Sequence, residues 1–366
     1  MNPLRELEQQ GQSAWLDFIT RQFMTDGKLA KLINEDGLKG VTSNPTIFQK
    51  AISGGREYDT AISQLIREGK AAPAIFDTLA IQDIQNACDI LRSVYDKTQG
   101  ADGFVSIEVN PHLARDTQGT LQEARRLFRA VQRPNVMVKI PATQESLPAI
   151  EQALGEGINI NITLIFALER YQEVINAWLG GLERLAKSGK PVSSIGSVAS
   201  FFVSRVDTLV DGLLEKKKRP DLMGKAAIAN AQQAYTMFEQ TIRSPRFKAL
   251  EAKGARVQRP LWASTSTKNP KYRDVLYAEE LIGKDTVDTL PLATIDAFRD
   301  HGNARASLPV PPETSLKTLQ QLEDAGIDMK AVTKQLEEEG VKLFSDSYDS
   351  LMKTLEEKKE ALKVGA

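Results

Sequence analysis

Two kinds of apolar pattern alternate along the chain. Short apolar or alternating runs predict strands over 12–17 (QSAWLD), 38–43 (LKGVTS), 103–109 (GFVSIEV) and 135–140 (NVMVKI). Four more are predicted over 158–164 (ININITL), 194–200 (SIGSVAS), 259–264 (RPLWAS) and 287–292 (VDTLPL). Between them, apolar residues recur every three or four positions, which predicts helices over 78–97, 117–131, 145–155, 167–187 and 202–216. The connections 45–102 and 201–258 are too long for bare loops, so each should hold more than one helix. Eight strands alternating with helices predict an α/β fold, a single (β/α)8 TIM barrel spanning 1–366. After Pro311 the pattern is helical again. Val341, Phe344, Tyr348, Leu351, Met352 and Leu355 form one apolar stripe. The segment 312–366 is therefore expected to pack on the barrel as a helical extension, with a subunit interface as the competing use. Its last residues, KKEALKVGA, are expected to fray.

Side chains alternate faces along a strand, and in such a barrel the outer face must be apolar to meet the helices. In NVMVKI, Val136, Val138 and Ile140 share one face, leaving Asn135, Met137 and Lys139 inside. In VSIEV the inner residues are Ser106 and Glu108, and in ININITL they are Asn159, Asn161 and Thr163, opposite Ile158, Ile160, Ile162 and Leu164. In SAWLD, Asp17 falls with Ser13 and Trp15. Lys139, Glu108, Asn161, Thr163 and Asp17 are thus predicted to converge at one mouth. A single polar residue at a strand end often does no more than meet water. A lysine between Val138 and Ile140 is different, because it must face a cavity or bury a charge.

Composition narrows the chemistry. With 47 Lys plus Arg against 48 Asp plus Glu, the net charge of -1 gives no general pull toward nucleic acid or an anionic membrane. The basic run Lys216–Arg219 follows a helical pattern and is expected to be a solvated helix end. Only His112 and His301 are available, with no HExxH or CxxC spacing, so no multi-imidazole metal site is expected. No GxGxxG or GxxxxGK[ST] loop offers a nucleotide cradle, and no cofactor is expected. The single cysteine, Cys88, lies in a helical pattern and is expected to pack as a small hydrophobe. No apolar run reaches the roughly 20 residues that span a bilayer. With no signal-like N-terminus, a cytoplasmic protein is expected, as a monomer or homodimer.

A lysine amine in a partly desolvated mouth is a nucleophile for carbonyl carbon. Its protonated imine with a ketone is an electron sink that lets the neighbouring carbon–carbon bond break, provided acid–base groups lie within reach. Asp17 and Glu108 are candidates, although their charges could instead merely neutralise Lys139. Anion-binding groups are expected in the loops after the later strands. Arg205 in ASFFVSRVD, and Ser264 and Lys268 in WASTSTKNP, fit that position. For Arg205 the competing reading is a surface ion pair with Asp207 or Glu215.

GVTSNPTIFQKAI (40–52), VSIEVNP (105–111), VMVKIPAT (136–143), INITLIF (160–166) and ASTSTKNP (263–270) resemble segments of the transaldolase family. The likeness spans roughly residues 15 to 300, and the length and helical tail resemble the longer bacterial-type members. The resemblance implies that Lys139 is the Schiff-base lysine and that Asp17 is the acid–base group for carbon–carbon cleavage. It implies that Glu108 and Thr163 activate the water of imine formation and hydrolysis. Thr42, Asn44, Asn161 and Ser200 would hold a dihydroxyacetone unit, and Arg205 and Ser264 a phosphate. Shorter members carry an arginine where this chain has Ser266, and Lys268 is the expected substitute. The implied reaction moves dihydroxyacetone from sedoheptulose 7-phosphate or fructose 6-phosphate to glyceraldehyde 3-phosphate or erythrose 4-phosphate, within the non-oxidative pentose phosphate pathway.

Three other readings compete. A class I aldolase would release free dihydroxyacetone. A metal-dependent sugar-phosphate isomerase would use Asp and Glu as ligands. A non-catalytic barrel would bind sugar phosphates without forming an imine.

Overall fold

The computed structural model describes residues 2–361 in full and the backbone of 362–364. Eight parallel strands close in sequence order, with β8 paired back to β1. They are β1 (Gln12–Leu16), β2 (Gly40–Val41), β3 (Val105–Glu108), β4 (Val136–Pro141), β5 (Ile160–Ile165), β6 (Ser197–Phe202), β7 (Arg259–Ala263) and β8 (Thr286–Leu290). Each lies within or beside a run predicted from the apolar pattern. The barrel is thus the (β/α)8 architecture expected from the alternation of strands and helices. The connection 45–102 holds helices Pro45–Gly54, Asp59–Arg67 and Ala72–Lys97, and 201–258 holds Ser204–Lys216, Ala226–Arg243 and Pro245–Glu251.

Strand parity sorts the side chains as expected over most of the barrel. Val105, Ile107, Val136, Val138 and Ile140 are all buried against the helical layer. Glu108 pairs in register with Lys139, and Lys139 with Asn161, so these three share the inner face at one level. The alternation fails once. The β5–β6 register slips between Ile162 and Ile165, a bulge that adds one residue to β5, and Leu164 there adopts φ 58°. Leu164 consequently leaves the face of Ile162 and packs beneath Gly340 of the C-terminal helix.

The lower end of the barrel is closed by a polar plug. Trp15 Nε1 donates to Asp102 (2.8 Å), and Arg259 pairs with the same carboxylate at 3.2 Å. The Trp15 ring fills the axis opposite Gly40. Any side chain at position 40 would place its Cβ 2.5 Å from that ring, so glycine is required there for packing rather than for its backbone angles.

The segment after Pro311 forms helices Pro312–Asp324 and Met329–Val364. The second crosses the upper mouth with Phe344, Leu351 and Leu355 buried beneath it. It is tied down by Thr46–Ser347 (2.8 Å), Arg170–Glu337 (3.5 Å) and His112–Asp349 (2.7 Å). Where fraying was expected from Lys358 onward, the helix continues to Val364, helped by a Lys358–Asp59 ion pair; Gly365 and Ala366 lie outside the described residues. Among the described residues no helix is long and apolar enough to cross a membrane.

Gly40→Ala is expected to destabilise the barrel by about 1–3 kcal/mol through overpacking against Trp15. Gly54→Ala, where an added Cβ meets nothing within 4 Å, is the matched control and should be close to neutral. Denaturant unfolding of the two variants checks this.

Candidate active site

Lys139 rises from the inner face of β4 with its side chain 5% exposed. Nζ donates to the carbonyl of Ser43 (3.2 Å) and lies 3.2 Å from Glu108 Oε2 on β3, whose side chain is 3% exposed. Two charges buried this deeply are tolerated because they neutralise one another. Burial pushes the Glu108 carboxyl up to about 7, against the pull of the Lys139 charge and with some help from the negative charge of Asp17. Neither Glu108 oxygen accepts an aligned hydrogen bond among the described residues.

Asp17 follows β1 directly. Its N–H donates to Leu290 (2.9 Å), and Oδ1 accepts from Thr42 Oγ1 (2.8 Å), which also contacts Thr289 Oγ1 at 2.7 Å. Burial raises the Asp17 carboxyl, while the charges of Lys139 and Arg205 and the Thr42 hydroxyl oppose the shift. The two carboxylates therefore sit in different settings, one paired directly with the amine and the other held by the Thr42 hydroxyl, as division of acid–base labour requires.

A cavity of about 130 Å³ opens above Lys139. Asp17, Thr42, Asn44, Thr163, Ser200, Arg205, Ser264 and Lys268 line it with the amine, so the geometry gathers nearly all the predicted residues. Thr163 Oγ1 is buried there without a hydrogen-bond partner among the described residues. Asn44 caps the helix Pro45–Gly54 through its side chain. Glu108 stands behind Lys139. Asn161 is fully buried beside Lys139 on the inner face, where its amide donates to Ser106 (3.0 Å) and accepts from Ser200 (2.6 Å), with a further N–H and lone pair left on the amide.

The far end of the cavity is cationic. Arg205 occupies the second position of the helix that follows β6, with its guanidinium 5.3 Å from the Phe202 ring centroid. It makes no ion pair with Asp207, which instead accepts from Tyr277 (2.8 Å) and the Ala227 N–H (2.8 Å). Burial lowers its pKa from the ordinary value. Lys268 is lowered too, by burial first and then by Arg205 and Lys50, and donates to Ser266 at 2.7 Å. Two mutually repelling cations without a salt-bridged carboxylate among the described residues make a ready anion site. Ser264, at φ 59°, turns the loop between them, and its hydroxyl lies 2.9 Å from that of Ser204.

Several participants were not singled out from the sequence. Phe344 of the C-terminal helix lies 5.6 Å, ring centroid to Lys139 Nζ, and roofs the cavity; its stripe signalled only packing. Ser43 gives a backbone carbonyl, which no side-chain pattern reveals. Asp288 faces the helical layer from β8 and accepts from Thr265 (2.8 Å), the residue following Ser264. Its signal was an aspartate on the apolar parity of VDTLPL. Elsewhere, His112 and His301 bind exposed aspartates outside the cavity. Cys88 is buried with its thiol pushed up by burial, and Lys216–Lys218 are exposed. No cluster of three metal-ligating side chains occurs among the described residues.

The model of the family Transaldolase/Fructose-6-phosphate aldolase matches residues 14–355. Among curated proteins, the chain is 48% identical over 359 residues to a transaldolase of Parafrankia sp. (strain EAN1pec), covering 97% of each. It is 44% identical over 374 residues to a transaldolase of Trichodesmium erythraeum, covering 99% of this chain and 98% of the relative. It is 45% identical over 367 residues to a transaldolase of Mycolicibacterium smegmatis, covering 99% of both.

Asp288 ties stability to pH. Burial raises its carboxyl from 3.8 to about 7, against the Thr265 hydrogen bond. Between those values the unfolded chain has lost a proton that the folded chain keeps, so this contribution is full below about pH 4 and is lost as pH rises through 7. Asp288→Asn keeps an acceptor for Thr265 and removes the charge. It is expected to melt above the wild type at pH 8 and to lose that advantage by pH 5, as calorimetry would register.

Proposed function

The chain belongs to the transaldolase/fructose-6-phosphate aldolase family, and we propose that it transfers a dihydroxyacetone unit through an imine on Lys139. Its activity is that of a transaldolase, a transferase acting on sugar phosphates. The observation that carries the residue assignment is the buried Lys139 amine, backed by Glu108 and facing a small cavity whose opposite end holds Arg205 and Lys268.

In this reading Lys139 passes its proton to Glu108, 3.2 Å away, and the freed amine adds to C2 of sedoheptulose 7-phosphate. Glu108 then gives that proton to the C2 oxygen, and water leaves as the iminium forms. Asp17 then takes the C4 hydroxyl proton while the C3–C4 bond breaks. The bond's electrons move into the iminium to give an enamine, and erythrose 4-phosphate departs. Glyceraldehyde 3-phosphate enters. The enamine carbon attacks its aldehyde, and Asp17 returns the proton to the new hydroxyl. Water adds to the iminium with Glu108 as base, and fructose 6-phosphate leaves Lys139. Thr42, Asn44 and Ser200, the last oriented by Asn161, hold the three-carbon unit. Arg205, Ser264 and Lys268, which line the same cavity, hold the phosphate. The Phe344 roof limits access of bulk water to the enamine, which supports transfer over release of free dihydroxyacetone.

Borohydride reduction in the presence of fructose 6-phosphate is expected to leave a three-carbon adduct on the peptide that contains Lys139. Lys139→Ala should abolish both adduct and turnover while leaving a barrel that still folds, and an adduct on another lysine would overturn the assignment. For Lys268→Ala, the expected outcome is a roughly 10-fold rise in KM for phosphorylated substrates, about 1.4 kcal/mol. The turnover number should change little, and steady-state kinetics separates the two parameters.

A further inference from the structure

The two cations at the far end of the cavity stand on separate pieces of chain. Arg205 belongs to the helix Ser204–Lys216. Lys268 lies in the irregular segment 264–275, between β7 and the short helix Leu276–Glu280. Burial first, and then the Arg205 charge, hold the Lys268 amine below its ordinary value, so the two cations repel. An irregular segment bearing one of two like charges would swing away from the other. Each phosphate that bound would then have to draw it back and order it.

Three buried carboxylates hold the segment, and two of them come from the Arg205 helix itself. Asp211, six residues beyond Arg205, accepts from Tyr272 Oη at 2.6 Å, and Tyr272 is four residues beyond Lys268. One turn earlier on the same helix, Asp207 accepts from Tyr277 Oη at 2.8 Å. At the other end the Ser264 carbonyl accepts from the Ser204 N–H (3.0 Å), beside Arg205, and Thr265 donates to Asp288 on β8 (2.8 Å). Hydroxyl bonds to ionised carboxylates are short and directional, and a carboxylate this buried is costly without its partner. The backbone makes room for the Tyr272 anchor. Gly224, at φ 71°, donates its N–H to Asp211 Oδ1 (2.9 Å), and a Cβ on Gly224 would lie 2.8 Å from the Tyr272 ring.

We propose that Asp211 and Tyr272 are positioning residues for substrate phosphate: their bond, with the Thr265–Asp288 bond at the other end, fixes Lys268 against Arg205 before the phosphate arrives. The inference rests on the reading of Arg205 and Lys268 as the phosphate site. Both Asp211 and Tyr272 stand outside the cavity lining, so they reach substrate through the segment that carries Lys268. Folding then does the work of ordering that segment and of bringing two like charges together, and phosphate binding is relieved of it.

Tyr272→Phe removes one hydroxyl at one end of the segment, and Thr265→Val removes one at the other. With the acceptor aldehyde saturating, each should raise KM for fructose 6-phosphate and the competitive inhibition constant of inorganic phosphate together. The rise should be roughly 2- to 10-fold, the span of a single hydrogen bond, with kcat held. Bonds that served the fold alone would lower the melting transition and leave both constants unchanged, so folded Tyr272→Phe and Thr265→Val enzymes with wild-type constants would overturn the proposal. Two variants at opposite ends keep the comparison valid if one fails to fold. In a Lys268→Ala background, Tyr272→Phe should add little to either constant, because no cation remains there to misplace. The full rise in that background would also overturn the proposal, since the bond would then act on another group. Lys268→Ala with wild-type constants would instead refute the phosphate role of Lys268, and the positioning role would fall with it.

Discussion

The 3.2 Å contact between Lys139 and Glu108 constrains everything above it in the barrel. Desolvating either ion costs several kcal/mol, and their attraction offsets that cost only while both stay in place. The pair is therefore poor as a source of stability. What it gives is an amine withdrawn from the protein surface, beside a carboxyl that burial has brought to about 7. The surrounding structure follows from keeping that arrangement intact. β3 and β4 run in register so that the two side chains emerge level, the chain after β2 turns the Ser43 carbonyl onto Nζ, and a helix from the far end of the sequence brings Phe344 over the top.

Much of this was legible because a barrel strand forces a two-residue period on chemistry as well as on packing. Lys139 between Val138 and Ile140 had no apolar face to join, and Glu108 and Asp17 fell on matching parities. The same logic identified eight strands and placed helices in both long connections. The cationic end of the cavity was legible from position, since Arg205 and Lys268 come just after β6 and β7. Membership of the family then gave these positions a common reaction.

What parity could not convey was depth, curvature or long-range packing. Asn161 is on the predicted face, and it also braces Ser200 and Ser106, contacts that alternation alone does not show. Leu164 was assigned to the outer face by strict alternation; a bulge of one residue, invisible in ININITL, turned it toward Gly340. Asp288 points away from the cavity and holds Thr265, between the cavity-lining Ser264 and Ser266. The stripe through Phe344 announced a buried helix face without saying what that face would cover. Each discrepancy comes from a contact between residues remote in sequence, where local periodicity carries no information.

A Schiff-base transferase places opposite demands on water. The enamine must stay dry while one aldehyde leaves and another arrives, or its three-carbon unit is lost. The imine must be wetted at both ends of the cycle. Here the Phe344 ring roofs the cavity above Lys139, while Glu108, a carboxyl that can donate or accept the proton of that water, lies 3.2 Å from the amine. The roof comes from the C-terminal helix, and its position over the amine accounts physically for the anchoring of that helix at Thr46, His112, Arg170 and Asp59 around the rim.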